Sequence, residues 1–199
     1  MKKIITLLTL ASFSILVAFI LQFNTFDSNS EDVVLAVNAS PIEVLLEHQT
    51  NEGNILLYRT LGGDELTLAF LSRNFTGIQY VESATQYDIS ALEEQAGITY
   101  VVLPKSDDIP FTIYAGLTTN PDLNEIFVTE PGFQIGHGVR MMDTRIDEEG
   151  LYVWVAASSD FSGENFSILG VSADGSLIGD IEHDGTTLTI HTIDTTQAY

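Results

Sequence analysis

The sequence contains no cysteine and few basic residues, and each shortage excludes some structural features or functions. Its 199 residues include 7 Lys and Arg against 28 Asp and Glu, a formal net charge of −21 at pH 7. Without cysteine there is no disulfide, no cysteine–zinc site and no thiol chemistry. An acidic surface repels nucleic acids and attracts cations and basic proteins, but it also serves solubility alone, which is the simpler interpretation.

Recognisable catalytic signatures are also missing. The chain has neither the G-x-S-x-G nor the S-x-x-K pattern of serine hydrolases. No two histidines have the close spacing of a zinc site, because the nearest pair is eight residues apart; the four are His48, His137, His183 and His191. His137 lies between two glycines, which we interpret as a glycine-rich turn rather than an anion site.

One long apolar run, residues 4–23, contains no charged residue. Twenty helical residues span roughly 30 Å, the thickness of a bilayer's hydrocarbon core. Lys2 and Lys3 precede the run, which predicts a C-terminus outside the cell. We favour an uncleaved signal anchor over a cleaved signal peptide, because residues 19–23 are bulky where a cleavage site needs small side chains. A small-residue site at residues 37–39 comes too late in the chain.

The remainder is predicted to form a tether at residues 24–39 and one domain at residues 40–199. Val33–Val37, within the tether, is apolar enough to be a short strand or to dock on the domain. Ser40 can cap a helix at residues 41–49, because proline follows it and a glutamate completes a capping box. A second short helix is predicted at residues 88–97, ended by glycine.

Between and after these helices the pattern indicates strands separated by turns. We expect a hairpin around residues 62–65, which contain Gly62-Gly63, and another around residues 183–186, where Asp184-Gly185 is a strong tight-turn signal. Residues 151–157 are apolar on both faces, as in a central strand covered on both sides, and residues 166–171 are predicted to pair with them. The predicted fold is mainly β (α+β): an antiparallel sheet or β-sandwich-like meander with one or two short helices, preceded by the N-terminal transmembrane or signal helix.

Three segments carry a resemblance to known proteins: GNILLYRTLGGDELTLAFLSRNFTGIQYVES (residues 53–83), PFTIYAGLTTNPDLNEIFV (residues 110–128) and FSILGVSADGSLI (residues 166–178). The chain resembles small, functionally uncharacterised proteins of Gram-positive bacilli that are exported or membrane-anchored and β-rich. The shared motifs are hairpin patterns, so the resemblance implies an exported β-rich domain and implies neither an activity nor functional residues.

Calcium is the metal that the sequence suits best, because calcium takes oxygen ligands from loops. Asn120, Asp122 and Asn124 have the alternate spacing of a calcium loop. The stretch lacks the glycine and the glutamate of a complete loop, since Glu125 and Pro131 stand at those positions. These three residues are the candidate metal site, and no catalytic or cofactor-binding residue is predicted.

Three functional hypotheses follow. The preferred one is a membrane-tethered or secreted extracytoplasmic domain that binds or modulates a partner, such as an envelope or extracellular protein, without catalysis. The alternatives are a secreted hydrolase that uses paired carboxylates and a calcium-stabilised adhesion or structural module. Nucleic acid is not an expected partner, because the acidic chain would repel it.

Overall fold

The fold is taken from a computed structural model, which describes residues 29–38, 40–74, 77–87, 97–132, 138–139, 144–145, 151–185 and 188–191. Within these residues one short helix, α1 (Ser30–Val37), precedes thirteen strands. The strands are β1 (Ile42–Gln49), β2 (Gly53–Thr60), β3 (Glu65–Asn74), β4 (Gly77–Tyr87), β5 (Val101–Leu103), β6 (Thr112–Thr118), β7 (Leu123–Thr129), β8 (Gly138–Val139), β9 (Thr144–Arg145), β10 (Tyr152–Ser158), β11 (Phe166–Ser172), β12 (Leu177–His183) and β13 (Leu188–His191).

The strands form three antiparallel sheets, which confirms the mainly β prediction. Sheet A is a meander in the order β1-β2-β3-β4. Sheet B has the order β5-β6-β10-β9, and sheet C has the order β13-β12-β11-β7-β8. The strand pairs are antiparallel, so the consecutive strands of sheet A need only short turns between them. In sheets B and C the chain alternates between the two sheets: β5 and β6 lie in sheet B, β7 and β8 in sheet C, β9 and β10 in sheet B, and β11 to β13 in sheet C.

Sheet B is the central layer, and its strands β6 and β10 pack side chains against the sheets on both sides. On β6, Ile113 and Ala115 pack against sheet A, while Tyr114 between them packs against sheet C. β10 alternates in the same way, with Val153 toward sheet A and Trp154 toward sheet C. This confirms the predicted central strand, since side chains on a strand point alternately to opposite faces and here both faces are covered.

Helix α1 covers the outer face of sheet A. Val34 is fully buried against a cluster of apolar side chains from that face, which includes Leu56, Tyr58, Ala69 and Leu71. The helix begins after Asn29, whose side chain accepts a hydrogen bond from the helix backbone. Part of the predicted tether is therefore a helix docked on the domain, and docking was one of the two expectations for it.

The predicted helix at residues 41–49 is wrong, because Ile42–Gln49 is strand β1, paired with β2. Glu43 lies opposite Arg59 in this pair, and their side chains form an ion pair of 2.6 Å. Strand β1 covers one edge of β2, whose backbone groups would otherwise lack partners. The tertiary pairing therefore outweighs the local capping signal. Residues 88–96 of the other predicted helix lie outside the described residues.

The predicted pairing of residues 151–157 with residues 166–171 is also wrong. β10 pairs with β6 and β9, whereas β11 pairs with β7 and β12 in another sheet. The intervening residues 159–165 cross from sheet B to sheet C, and the turn between β6 and β7 crosses in the same way. Both faces of β10 are apolar and need cover. Its chain neighbour β11 lies in the next layer and covers one of these faces, where Trp154 packs with Phe166 and Ile168.

The predicted hairpins are confirmed. β2 and β3 pair across a turn in which Gly62 has a positive φ of 78° and the Gly63 N–H donates to the Thr60 carbonyl oxygen at 3.0 Å. β12 and β13 pair across the turn that contains Asp184 and Gly185, and Gly185 has a φ of 82°. Glycine adopts this left-handed backbone without steric cost, which is why these turns were recognisable from the sequence.

Candidate functional site

A pocket of about 420 Å³ opens at one end of sheet C. The end of β7, the start of β11 and the end of β12 meet there, because these three strands are neighbours and antiparallel. Ser167 lies opposite Thr129, and Phe166 lies opposite His183. The lining residues are Thr129, Glu130, Pro131, Gly132, Asn165, Phe166, Ser167, Glu182, His183 and Asp184.

Glu130, directly after β7, is buried to 7% exposure and is held by four hydrogen bonds. Its Oε1 accepts from the Tyr114 hydroxyl at 2.6 Å and from the Gly163 N–H at 2.6 Å. Its Oε2 accepts from the Ser162 N–H at 2.9 Å and from the Ser162 hydroxyl at 3.1 Å. We call these four residues the Glu130 cluster. It fastens the crossing loop of residues 159–165 to sheets B and C.

The hydrogen bonds change the acidity of both ionisable members of the cluster. Burial alone would raise the pKa of the Glu130 carboxyl, but the bonds from Ser162, Tyr114 and Gly163 favour the charged form, and the net pKa is lowered. Burial raises the pKa of the Tyr114 hydroxyl, and the bond to the Glu130 carboxylate raises it further. Glu130 is therefore a carboxylate and Tyr114 a neutral hydrogen-bond donor at pH 7.

Aromatic rings pack against Phe166, which lines the pocket. The rings of Tyr114 and Phe166 meet edge to face with centroids 5.1 Å apart, and Tyr100 meets Phe166 in the same way at 5.6 Å. His183 stacks on Phe166 with centroids 5.0 Å apart and planes at 23°. The Nδ1 atom of His183 is buried, and among the described residues it has no hydrogen-bond partner.

The described lining of the pocket carries charge of one sign. It contains the carboxylates of Glu130, Glu182 and Asp184, and no lysine or arginine is among the lining residues that the structure describes. Glu182 and Asp184 are exposed at the end of β12, whereas Glu130 is buried beside them. A concave site lined by carboxylates concentrates cations, and its low-dielectric walls strengthen that attraction.

The arrangement at Glu130 suits support better than proton transfer. Both of its oxygens accept two hydrogen bonds each, and its lowered pKa keeps it ionised. A general acid at neutral pH needs a raised pKa, and a nucleophilic carboxylate needs an oxygen free to reach the substrate. Glu130 therefore holds the loop in place.

The predicted calcium residues lie elsewhere, in the turn between β6 and β7. The Asn120 side-chain oxygen accepts from the Asp122 N–H at 2.9 Å, and the Leu123 N–H donates to the Asn120 carbonyl at 3.3 Å. Asn124 is exposed on β7. Over the part of the chain that the structure describes, no three His, Cys, Asp or Glu side chains converge as a metal site would require. Calcium binding at this turn stays a prediction.

The sequence did not single out the residues of the Glu130 cluster. Its signals were faint: a glutamate between the end of a strand and Pro131-Gly132, and Ser162-Gly163 in a polar loop. Gly163 has a φ of 82°, which lets two consecutive N–H groups point at one carboxylate. Of the histidines considered, His48 lies on β1, His183 lines the pocket and His137 is outside the described residues.

Comparisons with protein-family models, with curated proteins and with solved structures found no match to this chain. Among the described residues, no helix has the length and hydrophobicity needed to cross a membrane. The predicted anchor, residues 4–23, lies outside the described residues.

Proposed function

We propose that this chain is an extracytoplasmic binding domain without catalysis, held at the outer face of the cell membrane by residues 4–23, or secreted if that segment is removed. One observation carries the proposal: among the described residues, the lining of the pocket on sheet C includes three carboxylates and no lysine or arginine. The apolar run and the resemblance of residues 53–83 to exported β-rich proteins support the location.

The ligand that fits this pocket best is a cationic group, such as an amine on a small molecule or on a basic protein. A volume of about 420 Å³ lies within the range of small-molecule sites, roughly 300–1,000 Å³. Glu182 and Asp184 supply negative charge at the rim. The ring of His183 supplies a flat surface for the apolar part of a ligand, since it stacks on Phe166 and is held in place.

The absence of catalysis is proposed because the most buried carboxylate of the site acts as a structural acceptor. Both carboxylate oxygens of Glu130 accept hydrogen bonds from the loop at Ser162 and Gly163. Glu130 therefore fixes the shape of the pocket and has no oxygen left to react with a substrate. A rigid, preformed pocket is what a binding domain needs, because fewer groups then lose freedom when the ligand arrives.

The test is calorimetric titration of the full-length chain, in detergent micelles, with spermidine, a triamine that is cationic at pH 7. We expect binding that weakens at least tenfold in the double variant Glu182→Gln/Asp184→Asn, which corresponds to about 1.4 kcal/mol. The matched control is Asp107→Asn/Asp108→Asn, which removes the same charge from an exposed loop that does not line the pocket.

Equal weakening in the two double variants would contradict the proposal, because it would show that only net charge matters. Spermidine that binds neither the parent chain nor the control would contradict it as well. The fluorescence of Trp154, the one tryptophan of the chain and fully buried, verifies that each variant is folded.

A further inference from the structure

His183 is held in place at the wall of the pocket. It ends β12, where it lies opposite Phe166 of β11 and Leu188 of β13, so a paired strand flanks it on each side. Its ring stacks on the Phe166 ring, with centroids 5.0 Å apart and planes at 23°. The Phe166 ring packs in turn against Tyr100 and Tyr114. The imidazole therefore has little room to move without changing the wall that it forms.

Of the lining residues that the structure describes, His183 alone can carry a positive charge near neutral pH. Glu182 precedes it on β12, Asp184 follows it in the turn, and Glu130 lines the same pocket from the end of β7. The crossing loop brings Glu164 next to this turn, since a Cβ added at Gly185 would lie 3.2 Å from the Glu164 carbonyl oxygen.

The other ionisable residues on the neighbouring elements do not add positive charge at this wall. On β13 the ionisable residue is His191, which lies opposite Asp180 and not opposite His183. Tyr100 and Tyr114 are neutral, because burial raises the pKa of both hydroxyls. His183 is thus a basic ring in acidic surroundings.

Protonation of His183 would act against a cationic ligand in two ways. The imidazolium would place a positive charge on the wall that the ligand occupies, and it would attract the carboxylates that the ligand needs. It would also carry an N–H at Nδ1, which is buried and has no acceptor among the described residues. Relief of this buried donor requires the ring to shift on Phe166, which changes the pocket.

We propose that His183 makes ligand binding depend on pH: the pocket holds a cationic ligand while the imidazole is neutral and releases it when the imidazole is protonated. The inference rests on the proposed function, because it concerns the same pocket and the same class of ligand. Histidine is the side chain whose charge ordinarily changes between pH 5 and 8, whereas carboxyls titrate near pH 4 and amines near pH 10. Acidification within that range therefore empties the pocket.

The test is calorimetric titration of the full-length chain, in detergent micelles, with spermidine at pH 7.5 and at pH 5.5. We expect the affinity of the parent chain to fall roughly tenfold at pH 5.5, the effect of one like charge near the ligand at reduced dielectric constant. In His183→Gln the affinity should be the same at the two pH values, whatever its absolute size. The matched control is His48→Gln, which removes an imidazole from β1 of sheet A and should follow the parent chain.

A second variant and a second measurement cover the case in which glutamine disturbs the fold. His183→Phe keeps a flat ring against Phe166 and cannot be protonated, so its affinity should also be independent of pH. For the parent chain at pH 6.5, titration in two buffers of different ionisation enthalpy counts the protons exchanged, and we expect binding to release them. Trp154 fluorescence verifies that each variant is folded.

The outcomes separate this inference from the proposed function. If the parent chain binds spermidine equally at both pH values and releases no proton, the inference is overturned and the proposed function stands. If His183→Gln or His183→Phe loses affinity at pH 5.5 as the parent chain does, another group carries the effect and the inference is overturned as well. If the parent chain binds spermidine at neither pH, the proposed function fails and the inference fails with it.

Discussion

The two faces of sheet B meet very different neighbours. Toward sheet A, the contact consists largely of aliphatic side chains, among them Leu57, Leu68 and Val153, with Phe70 as its buried ring. Toward sheet C, the contact is rich in aromatic rings and contains the Glu130 cluster; the rings are Tyr100, Tyr114, Trp154, Phe161 and Phe166. The second contact ends in the pocket of about 420 Å³.

This difference separates the contact that contributes most to stability from the part of the molecule that we propose to bind a ligand. Aliphatic packing stabilises through buried area and accepts many arrangements of similar volume. A buried carboxylate with four donors costs free energy unless every bond is made, so it fixes one arrangement of the loop beside the pocket. The following predictions test this division, from the largest expected effect to the smallest.

The largest loss of stability is expected for Leu68→Ala, in the contact between sheets A and B. Leu68 is 0% exposed, and removing its side chain leaves a cavity that costs about 3–4 kcal/mol. Urea unfolding, followed through Trp154 fluorescence, measures this cost, while spermidine affinity should stay unchanged. The control Leu61→Ala, at a 57% exposed position, should change stability by less than about 0.5 kcal/mol. A spermidine affinity that falls with Leu68→Ala would break the division.

A smaller loss of about 2 kcal/mol is expected for Glu130→Gln, because an amide presents an N–H₂ group to donors that need an acceptor. Here the pocket should be affected as well, since the loop that carries Ser162 and Gly163 is released. Glu164→Gln is the matched control in the same loop, at an exposed position. Equal unfolding midpoints for the two variants would show that the Glu130 cluster contributes little.

The stability that Glu130 confers should depend on pH with a defined sign. Its pKa in the folded chain is lowered from 4.5, so the unfolded chain binds the proton more readily than the folded one. The contribution is present above about pH 5 and is lost as the pH falls through the folded-state pKa. The difference in unfolding free energy between the parent chain and Glu130→Gln should therefore shrink as the pH falls from 7 to 3. A constant difference over that range would contradict the assignment.

The smallest effect, about 1 kcal/mol, is expected for Tyr114→Phe, which removes one of four donors to Glu130 and keeps the ring. Tyr58→Phe is the matched change on the outer face of sheet A, where the hydroxyl accepts from Asn38. Both should lower stability, but only Tyr114→Phe should raise the Glu130 pKa and alter spermidine binding. Identical binding in the two variants would remove the distinction between the two sides of the molecule.

The sequence was sufficient for features that depend on neighbouring residues. The turn at Gly62-Gly63, the turn at Asp184-Gly185 and the two-faced apolar pattern around Trp154 all follow from local backbone and side-chain preferences. Each of these predictions is confirmed, because turn residues and the alternation of apolar side chains act over a few adjacent residues.

Features that depend on distant partners were not accessible in this way. Residues 42–49 begin like a helix, and only the edge of β2 makes them a strand. β10 and β11 read as a hairpin, although each pairs with an earlier strand. The structural role of Glu130 depends on hydrogen-bond donors 16 to 33 residues away in sequence, and no local spacing predicts these contacts.

The crossing connections also set the order in which the chain can assemble. Sheet A joins four consecutive strands, Ile42–Gln49 through Tyr87, so its contacts are local and form quickly. The pairing of β6 with β10 and that of β7 with β11 each close a loop of more than 30 residues. The conformational entropy of closing such a loop is lost before the contacts between the strands form, which slows these pairings. We therefore expect folding in two kinetic phases, with sheet A as the early platform and the pocket as the last part to form.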